Sequence, residues 1–374
     1  MSTIYLDYNA TTPCEEAVVA EMLPFFKEKF GNPSSSYPLG REAKAAVEKA
    51  RERVATLIGA QPSEIVFTAS GSEANNTVLR YVLEAAGANK HIVTSVVEHP
   101  SIMEPLAYLQ KHGFEVSFVP VDCTGAVDLK AFYAAVRSGT CFVTIMHSNN
   151  EVGTLQPVAE IGAFCREKGI IFHTDASQSL GKVGVDVNQL SVDFLTIAGH
   201  KLYAPKGIGA LYVRGGRNIN PLILGAKQER GLRAGTENVP YIAGLGKAAE
   251  LSAEFLKHNG LFAVKEHFYN SLTAAFGAKI RLNGTLKNSL PNTLNVSFLG
   301  TTGNEVLALC DGISASTGSA CHSGSVTASA VLLAMGISEH DAVGAVRLSI
   351  GRHTSRQQVD EAVALLKSVL KGKI

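Results

Sequence analysis

Short apolar runs alternate with helical patterns over a large part of the chain, from about residue 40 to residue 215. An apolar run followed by a segment whose apolar positions repeat at helical spacing predicts a strand followed by a helix. Repetition of this pair is typical of an α/β fold, in which helices cover the faces of a mostly parallel sheet. The pattern predicts helices over residues 42–58, 73–86 and 101–112 and strands over residues 64–69 and 91–97.

The pattern changes in the C-terminal part of the chain. A long helical segment is predicted over residues 242–276. These later elements predict a second, smaller α/β domain, so we expect a large domain over residues 15–250 and a small domain that combines residues 1–14 with residues 251–374. After the long helix the pattern predicts a strand at 292–298, a helix at 304–311, a strand at 346–350 and a terminal helix at 356–370.

The composition is that of an ordinary globular protein. Of the 374 residues, 46% are hydrophobic and 18% are charged, and the formal net charge is +1. This near-neutral balance, without a basic cluster, argues against a nucleic acid as partner. The first residues lack a charged segment followed by a long apolar core, and no apolar run is long enough to span a membrane. We therefore expect a cytoplasmic protein with no membrane partner.

The cysteines and histidines give no sign of a metal site. The six cysteines are scattered without any CxxC pair, which argues against a disulfide framework, a zinc finger or a bound iron–sulfur cluster. The eleven histidines show neither HxxxH nor HxH spacing. We therefore expect no bound metal ion.

A small polar motif, Ser70-Gly71-Ser72, follows the strand predicted at residues 64–69 and precedes a helix. Backbone N–H groups and a hydroxyl at a helix N-terminus are suited to holding a phosphate. The motif alone is weak, and it favours an ordinary helix cap, with Ser72 as the capping residue, because a cap is the more frequent use of serine there. Because ligands of open α/β sheets bind at the carboxyl ends of the strands, this edge is the expected site.

Further polar residues follow other strands at the same edge. Asp175 closes one apolar run and Lys201 follows the next. Pyridoxal phosphate chemistry needs such a pair, a lysine that condenses with the aldehyde and an acid that keeps the ring nitrogen protonated. Taken alone, the pair is explained equally well by a structural aspartate and a surface lysine. His99 is placed to lie over a planar cofactor and to move a proton, or else to bond to backbone. Gln178 and Asn150 could reach the ring's phenolic oxygen.

A series of short motifs stands in the order that one family shows: Asp7-Tyr8-Asn9-Ala10-Thr11-Thr12, Gly31-Asn32-Pro33-Ser34-Ser35, Ser72-Glu73-Ala74-Asn75-Asn76, Glu98-His99, Asn149-Asn150-Glu151-Val152-Gly153, Asp175-Ala176-Ser177-Gln178, His200-Lys201, Arg233-Ala234-Gly235-Thr236 and Ser319-Ala320-Cys321. On these motifs the chain resembles a cysteine desulfurase of the class V aminotransferase family over almost its full length. The resemblance implies a fold-type-I pyridoxal phosphate enzyme that converts L-cysteine into L-alanine. It also implies a homodimer whose active sites lie at the subunit interface.

The resemblance implies a role for each matching residue. Lys201 would bond covalently to the cofactor, Asp175 would pair with the pyridinium nitrogen and His99 would stack on the ring. Arg347 would bind the substrate carboxylate with help from Asn32, which suits the planar fork of a guanidinium group. The other cofactor contacts would come from Gln178 and Asn150 to the ring oxygen, from Gly71, Ser72 and His200 to the phosphate, and from Thr236, contributed by the neighbouring subunit.

Cys321 determines the expected type of reaction. It lies in a long segment of small residues without apolar periodicity, which predicts an exposed and mobile loop. A thiolate in such a loop can take the sulfur of bound cysteine and become a persulfide; the alternative is an exposed cysteine without a role. His322 either lowers the pKa of this thiol or has no role. The long loop resembles the group I desulfurases, which pass sulfur to acceptor proteins for iron–sulfur cluster assembly or tRNA thiolation.

Two features depart from the family pattern. Ala198 stands where many relatives carry a serine that contacts the phosphate, and the chain ends without the tail with which housekeeping group I members dock a scaffold, so the acceptor is left open. The main alternative is a selenocysteine lyase, whose relatives share Ala320-Cys321-His322-Ser323. Two others are a different class V aminotransferase reaction in which Cys321 is incidental, and a persulfide carrier without turnover of its own.

Overall fold

The computed structural model describes residues 3–88, 90–215, 217, 219–318, 321–322 and 325–373, with residues 321–322 and 325–326 described by their backbone alone. The described strands form a seven-stranded sheet, a three-stranded sheet and two two-stranded pairs. In chain order the strands are β1 Ile4–Tyr5, β2 Ile65–Thr68, β3 His91–Ser95, β4 Glu115–Val119, β5 Thr140–Thr144, β6 Ile171–Asp175, β7 Phe194–Ala198, β8 Gly209–Val213, β9 Ile280–Leu282, β10 Thr293–Phe298, β11 Ile313–Ser314, β12 Cys321–His322, β13 Ser325–Val326 and β14 Ala345–Ser349.

Helices connect most of these strands. Short 3-10 turns also occur, and one of them, Gly199–Lys201, directly follows β7. In chain order the described α-helices are α1 Glu16–Met22, α2 Pro24–Lys27, α3 Pro38–Ile58, α4 Gly71–Ala85, α5 Pro100–Lys111, α6 Leu129–Ala135, α7 Val158–Lys168, α8 Val239–Lys257, α9 Leu261–Phe276, α10 Gly303–Ala308, α11 Ala330–Ala334, α12 Glu339–Ala342 and α13 Arg356–Leu370.

The seven-stranded sheet has the order β2-β8-β7-β6-β5-β3-β4. Strands β3 to β7 run parallel to one another, whereas β8 is antiparallel to both of its neighbours, β2 and β7. The predicted α/β class with a mostly parallel sheet is confirmed. Helix α3 begins at Pro38, ahead of the predicted residue 42, because proline is favourable at the first position of a helix.

Apolar side chains cover both faces of this sheet. Val93 and Val143 are paired across β3 and β5 and lie in one apolar cluster. Their sequence neighbours Ile92 and Phe142, also paired, lie in a different cluster on the opposite face, as the alternation of side chains along a strand requires. All four side chains are fully buried. Apolar residues therefore fill the centre of both faces, as expected for a mostly parallel sheet covered on both sides.

The long helix predicted over residues 242–276 is wrong in one respect, because it is two helices, α8 and α9. Between them, Oδ1 of Asn259 accepts a hydrogen bond from the backbone N–H of Leu261 (3.0 Å), and Nδ2 of Asn259 donates to the carbonyl of Lys182 (2.7 Å). An asparagine that bonds to nearby backbone competes with the helix, and the adjacent Gly260 has a low helix propensity. The chain therefore ends one helix at Lys257 and begins the next at Leu261.

A separate apolar cluster lies in the C-terminal part of the chain. It packs α9 and α13 against β10 and β14 of the antiparallel sheet, and it includes Ile4 and Leu6 from the start of the chain. Strand β1 also pairs in parallel with β11. We propose on these grounds the division predicted from the sequence, with residues 1–14 joined to residues 251–374 in the small domain; the separation of the apolar clusters supports it.

Lys265, in α9, gives the protein a measurable dependence of stability on pH. Its side chain is buried, and Nζ donates to Ser289 Oγ (2.6 Å) and to the carbonyl of Leu290 (2.8 Å). Burial lowers the pKa of Lys265 from 10.5 to about 8. Between these two pH values the unfolded chain binds more protons than the folded chain, so the free energy of unfolding rises with pH.

We expect this rise to be on the order of 1–3 kcal/mol relative to a Lys265→Met variant, which cannot titrate at this position. Denaturant unfolding of both proteins at a series of alkaline pH values measures the difference. Parallel stability curves for the two proteins would contradict the assignment.

Candidate active site

A cavity of about 290 Å³ opens at the carboxyl ends of the central strands. Residues that follow β2, β3, β5, β6 and β7 line it, together with residues from the N-terminal segment and from β14. It therefore lies at the edge where open α/β sheets bind their ligands. The cavity brings together nine of the predicted site residues: Gly71, Ser72, His99, Asn150, Asp175, Gln178, His200, Lys201 and Arg347.

Three predicted site residues are not in this group. Asn32 and Thr236 are exposed and do not line the cavity of their own chain. The backbone of Cys321 and His322 forms β12, which pairs antiparallel with Ser325 and Val326. The side chain of Cys321 lies outside the described residues, as do residues 319, 320, 323 and 324. The mobile loop and the sulfur-accepting role of Cys321 therefore stay predictions.

The start of helix α4 forms one wall of the cavity. The Oγ of Ser70 accepts a hydrogen bond from the backbone N–H of Glu73 (3.1 Å), so Ser70 caps the helix. The expectation that Ser72 would be the cap is wrong, because the helix begins two residues earlier than predicted. Ser72 instead lines the cavity at the positive end of the helix dipole, where an anion is stabilised.

Gly71 allows the helix N-terminus to approach the neighbouring strands closely. A Cβ at this position would lie 3.1 Å from Ser177 Oγ and 3.3 Å from Ala198 Cβ, which is tighter than ordinary contact. Ala198 brings only a methyl group to this wall, as the departure from the family pattern implied. Ser177, for which no role was predicted, supplies a hydroxyl that also lines the cavity.

The carboxylate of Asp175, at the end of β6, is held by donors on both oxygens. Oδ1 accepts from the backbone N–H of Ser177 (2.9 Å), and Oδ2 accepts from Nδ2 of Asn75 (2.8 Å). Burial alone would raise the pKa of Asp175, but these hydrogen bonds and the charge of Lys201 lower it below its ordinary value. The group is therefore an ionised carboxylate at neutral pH, suited to pairing with a protonated ring nitrogen.

Asn75 and Ser101 connect Asp175 to His99, a link that the sequence analysis missed. Asn75 Nδ2 also donates to Ser101 Oγ (2.8 Å), which in turn lies 2.8 Å from Nδ1 of His99. The backbone N–H of Ser101 donates to the same Nδ1 (3.1 Å). Because Nδ1 is an acceptor, the proton of the neutral ring is on Nε2. The only signal in the sequence was the place of Asn75 in a family motif.

His99 is neutral over the physiological range. Burial lowers the pKa of His99, and the positive charge of Lys201 lowers it further, although Asp175 opposes the shift. His99 therefore presents a neutral ring at the cavity, with one N–H at Nε2 available to a ligand.

Lys201 stands at the end of a 3-10 turn that Thr12 holds in place. Thr12 Oγ1 donates to the carbonyl of His200 (2.9 Å) and accepts from the backbone N–H of Tyr203 (2.9 Å). Tyr203 has a positive φ of 63°, a strain of about 1–3 kcal/mol that persists only where the surroundings fix the backbone. Burial lowers the pKa of Lys201, although the charge of Asp175 opposes the shift. The amine therefore loses its proton more easily than an exposed lysine.

His200 contributes a second neutral imidazole. Its Nδ1 lies 3.2 Å from Thr11 Oγ1. Burial, together with the charges of Lys201 and other nearby lysines, lowers the pKa of His200 to about 4. The neutral ring can therefore form a hydrogen bond with a phosphate group without placing a positive charge beside it.

Arg347, in β14, reaches the cavity paired with Asp7. Its Nη2 lies 2.8 Å from Asp7 Oδ1, and its Nη1 donates to the carbonyl of Asn150 (3.1 Å). The Nε is buried and has no hydrogen-bond partner within the described ranges. Because Arg347 lines the cavity, its guanidinium group can stabilise a carboxylate bound there. Asp7 is 340 positions away in the sequence, and no local pattern signals this pairing.

Two further observations on the described residues concern membrane-spanning helices and metal-binding clusters. Within the part of the chain that the structure covers, no helix has both the length and the apolar character needed to cross a membrane. In the same part, no three or more His, Cys, Asp or Glu side chains gather where they could hold a metal ion.

Comparisons with known proteins show the family to which the chain belongs. The family model described as Aminotransferase class-V matches residues 4–362. A protein named cysteine desulfurase IscS from Dictyoglomus turgidum is 43% identical over 373 residues, which cover 98% of this chain and 94% of that relative. The chain therefore belongs to the class V aminotransferase family.

Within that family the chain is similar to proteins described as cysteine desulfurases and as NifS-like. A solved structure of a NifS-like protein has a TM-score of 0.93 and 38% identity and covers 99% of both chains. A structure described as SspA in complex with cysteine has a TM-score of 0.83 and 36% identity, and it covers 94% of this chain and all of that one. The resemblance to the cysteine desulfurases expected from the motifs is confirmed, and so is the expected transferase class.

We expect replacement of Asn75 by alanine to lower the activity of the site more than it lowers the stability of the fold. The change removes the donor to Asp175 and the donor to Ser101, so the pKa of Asp175 rises towards its ordinary value and the ring of His99 is less well oriented. We expect kcat/KM for the amino acid substrate to fall about tenfold, which corresponds to the loss of one or two buried hydrogen bonds.

Steady-state kinetics measures this effect, and Asn188→Ala is the matched control. The Asn188 side chain donates to the carbonyl of Gly59 on an exposed surface, away from the cavity. Equal loss of kcat/KM in the two variants would show that the Asn75 link does not orient the site.

Proposed function

We propose that the protein is a cysteine desulfurase that uses pyridoxal 5'-phosphate to convert L-cysteine into L-alanine. The Cβ–S bond of cysteine breaks, the sulfur bonds to the sulfur of Cys321 as a persulfide, and the Cβ gains a proton. Atoms and electrons balance without an external oxidant, because cysteine and the enzyme thiol together contain everything found in alanine and the persulfide. The observation that carries the proposal is the presence of Asp175 and Lys201 in one cavity, with His99 beside them.

The residues of the cavity fit this cofactor. An ionised Asp175 would pair with the ring nitrogen, and His99 would stack on the ring. The N-terminus of α4, with Ser72 and Gly71, and the neutral ring of His200 would hold the phosphate. Gln178 and Asn150 would contact the ring oxygen. The negative charge of Asp175 would thus face the protonated ring nitrogen, and hydrogen-bond donors would face the phosphate. When bound, pyridoxal phosphate supplies an electron sink for the negative charge that develops beside the amino group of the substrate.

The side chains of the chain itself divide the remaining tasks. Lys201, with its lowered pKa, acts as nucleophile and base at Nζ. His99 holds a proton at Nε2 on the cavity side. Arg347, which lines the cavity, would orient the substrate carboxylate, while Asp7 fixes the guanidinium group. Cys321 receives the sulfur and carries it to an acceptor protein of iron–sulfur cluster assembly or of another thiolation reaction.

We further propose that the enzyme is a homodimer. Asn32 and Thr236 are exposed in their own chain, which is expected if each completes a site of the dimer rather than lining the cavity of its own subunit. The cytoplasmic location and the absence of nucleic acid or membrane partners stay predictions.

The selenocysteine lyase alternative is not favoured, because the relatives described above are named as desulfurases or NifS-like proteins or were solved with cysteine. Turnover of L-cysteine and of L-selenocysteine by the same preparation tests this choice. With L-cysteine and a thiol reductant we expect alanine and sulfide in equal amounts. Turnover of L-selenocysteine alone would overturn the proposal, and formation of a keto acid from an added amino donor would favour the aminotransferase alternative. A purified protein without cofactor absorbance would favour the carrier.

A further inference from the structure

Lys182 is a buried lysine beneath the cavity that the proposed reaction does not use. It lies in the turn after β6, seven residues beyond Asp175, and only 6% of it is exposed. Its Nζ lies 3.0 Å from Oε1 of Gln178 and 3.5 Å from Oδ1 of Asn9. No ion pair joins Lys182 to an aspartate or glutamate in the described part of the chain. A buried amine paired only with amide oxygens is costly, so its position calls for an explanation.

The surroundings of Lys182 make that cost larger. Burial lowers the pKa of Lys182 well below its ordinary value, and the charges of Lys201, Arg347 and Arg352 lower it further. All three neighbouring groups are positive. Lys182 therefore neither balances a nearby negative charge nor forms an ion pair at this position. Its hydrogen bonds are the remaining explanation for its presence.

Two hydrogen bonds fix the orientation of the Gln178 amide. On one side, Lys182 Nζ donates to Gln178 Oε1 (3.0 Å). On the other side, Gln178 Nε2 donates to the backbone carbonyl of Asn9 (2.9 Å). The oxygen therefore points away from the cavity, and the second N–H of Gln178, which lines the cavity, is left for a ligand acceptor.

Asn9 is itself fixed and cannot turn to suit another orientation. Its Nδ2 donates to Thr293 Oγ1 (2.8 Å) and to the carbonyl of Asn150 (3.2 Å), and its Oδ1 accepts from Asn292 (3.0 Å). Asn9 is 1% exposed. Rotation of the Gln178 amide is therefore opposed from two sides, by the fixed carbonyl of Asn9 and by the hydrogen bond from Lys182.

We propose that Lys182 is a positioning residue, which by donating to Gln178 Oε1 keeps an amide N–H of Gln178 directed at the ring oxygen of the cofactor. The inference rests on the proposed function, because it takes the acceptor to be the phenolic oxygen of pyridoxal phosphate. Without Lys182 only the carbonyl of Asn9 opposes rotation of the amide, so the amide presents its oxygen to that atom more often and a favourable contact is replaced by repulsion between two acceptors.

Titration of cofactor-free protein with pyridoxal phosphate tests the inference in a Lys182→Met variant. We expect binding to weaken about tenfold, the effect of one misplaced buried hydrogen bond. The pH midpoint of the absorbance change of the bound cofactor should move upward, because the anionic form of the ring oxygen loses its donor. The matched control is Lys265→Met, since Lys265 is also buried and has no acidic partner among the described residues, but it lies away from the cavity. It should leave both quantities unchanged.

A double-mutant cycle separates positioning from a general structural role. In a Gln178→Leu background the Lys182→Met change should have no further effect on the absorbance midpoint, whereas a structural role would give the same effect in both backgrounds. If the methionine variant does not fold, Lys182→Leu, which also has no donor, takes its place with the same expected direction. Binding within twofold of wild type and an unchanged midpoint would overturn the inference alone. Wild-type protein that does not bind pyridoxal phosphate would overturn the proposed function as well.

Discussion

Replacement of Lys201 by alanine is expected to abolish turnover of L-cysteine, with a loss of about 10⁴-fold or more. The amine at this position is the proposed nucleophile and base, and no other lysine lines the described wall of the cavity. The variant should bind pyridoxal phosphate reversibly, because Asp175, His99 and the start of α4 are unchanged. Alanine production measures the activity, and the absorbance of the protein after gel filtration measures cofactor retention.

The matched control is Lys206→Ala, five residues along the chain and exposed. We expect this variant to keep wild-type turnover and to retain the cofactor. A Lys201→Ala variant that still turned over L-cysteine at more than about one hundredth of the wild-type rate would contradict the role assigned to Lys201.

Replacement of Cys321 by serine should stop the transfer of sulfur while leaving cofactor binding intact. A serine hydroxyl is a much weaker nucleophile than a thiolate and cannot form a persulfide, so we expect L-cysteine turnover to fall at least about a hundredfold. Turnover of L-selenocysteine should change little, because the same lysine, aspartate and histidine act on that substrate. Sulfide and selenide release, measured side by side, give the comparison.

Cys123→Ser is the control for this change, since Cys123 is an exposed free cysteine in a connection without a catalytic motif. It should leave both activities at the wild-type level. Equal loss in the Cys321 and Cys123 variants, or no loss in either, would remove Cys321 from the reaction.

Much of the fold could be predicted from the sequence, because apolar periodicity reports local structure directly. The terminal helix has the predicted bounds, Arg356–Leu370, and the central sheet is of the predicted kind. The break between α8 and α9 was missed, because Asn259 ends the helix by bonding partly to the carbonyl of Lys182, which is distant in the sequence. Helical periodicity on both sides of such a break looks continuous.

The cavity residues were predictable for a related reason. Asp175, His99 and Lys201 each follow a strand, and the carboxyl ends of parallel strands share one edge of a sheet. The contacts that hold them were not predictable, because they join distant segments. Asn75 is 100 positions from Asp175, and Lys182 acts through an amide whose orientation only the three-dimensional arrangement determines.

The most direct test of the account is mass spectrometry of the cofactor-loaded protein after brief exposure to L-cysteine without a reductant. The account predicts one additional sulfur atom on the peptide that contains Cys321, removed by treatment with a thiol and absent from the Lys201→Ala variant. Alanine formation without additional sulfur on that peptide, or sulfur distributed equally over the exposed cysteines, would contradict it.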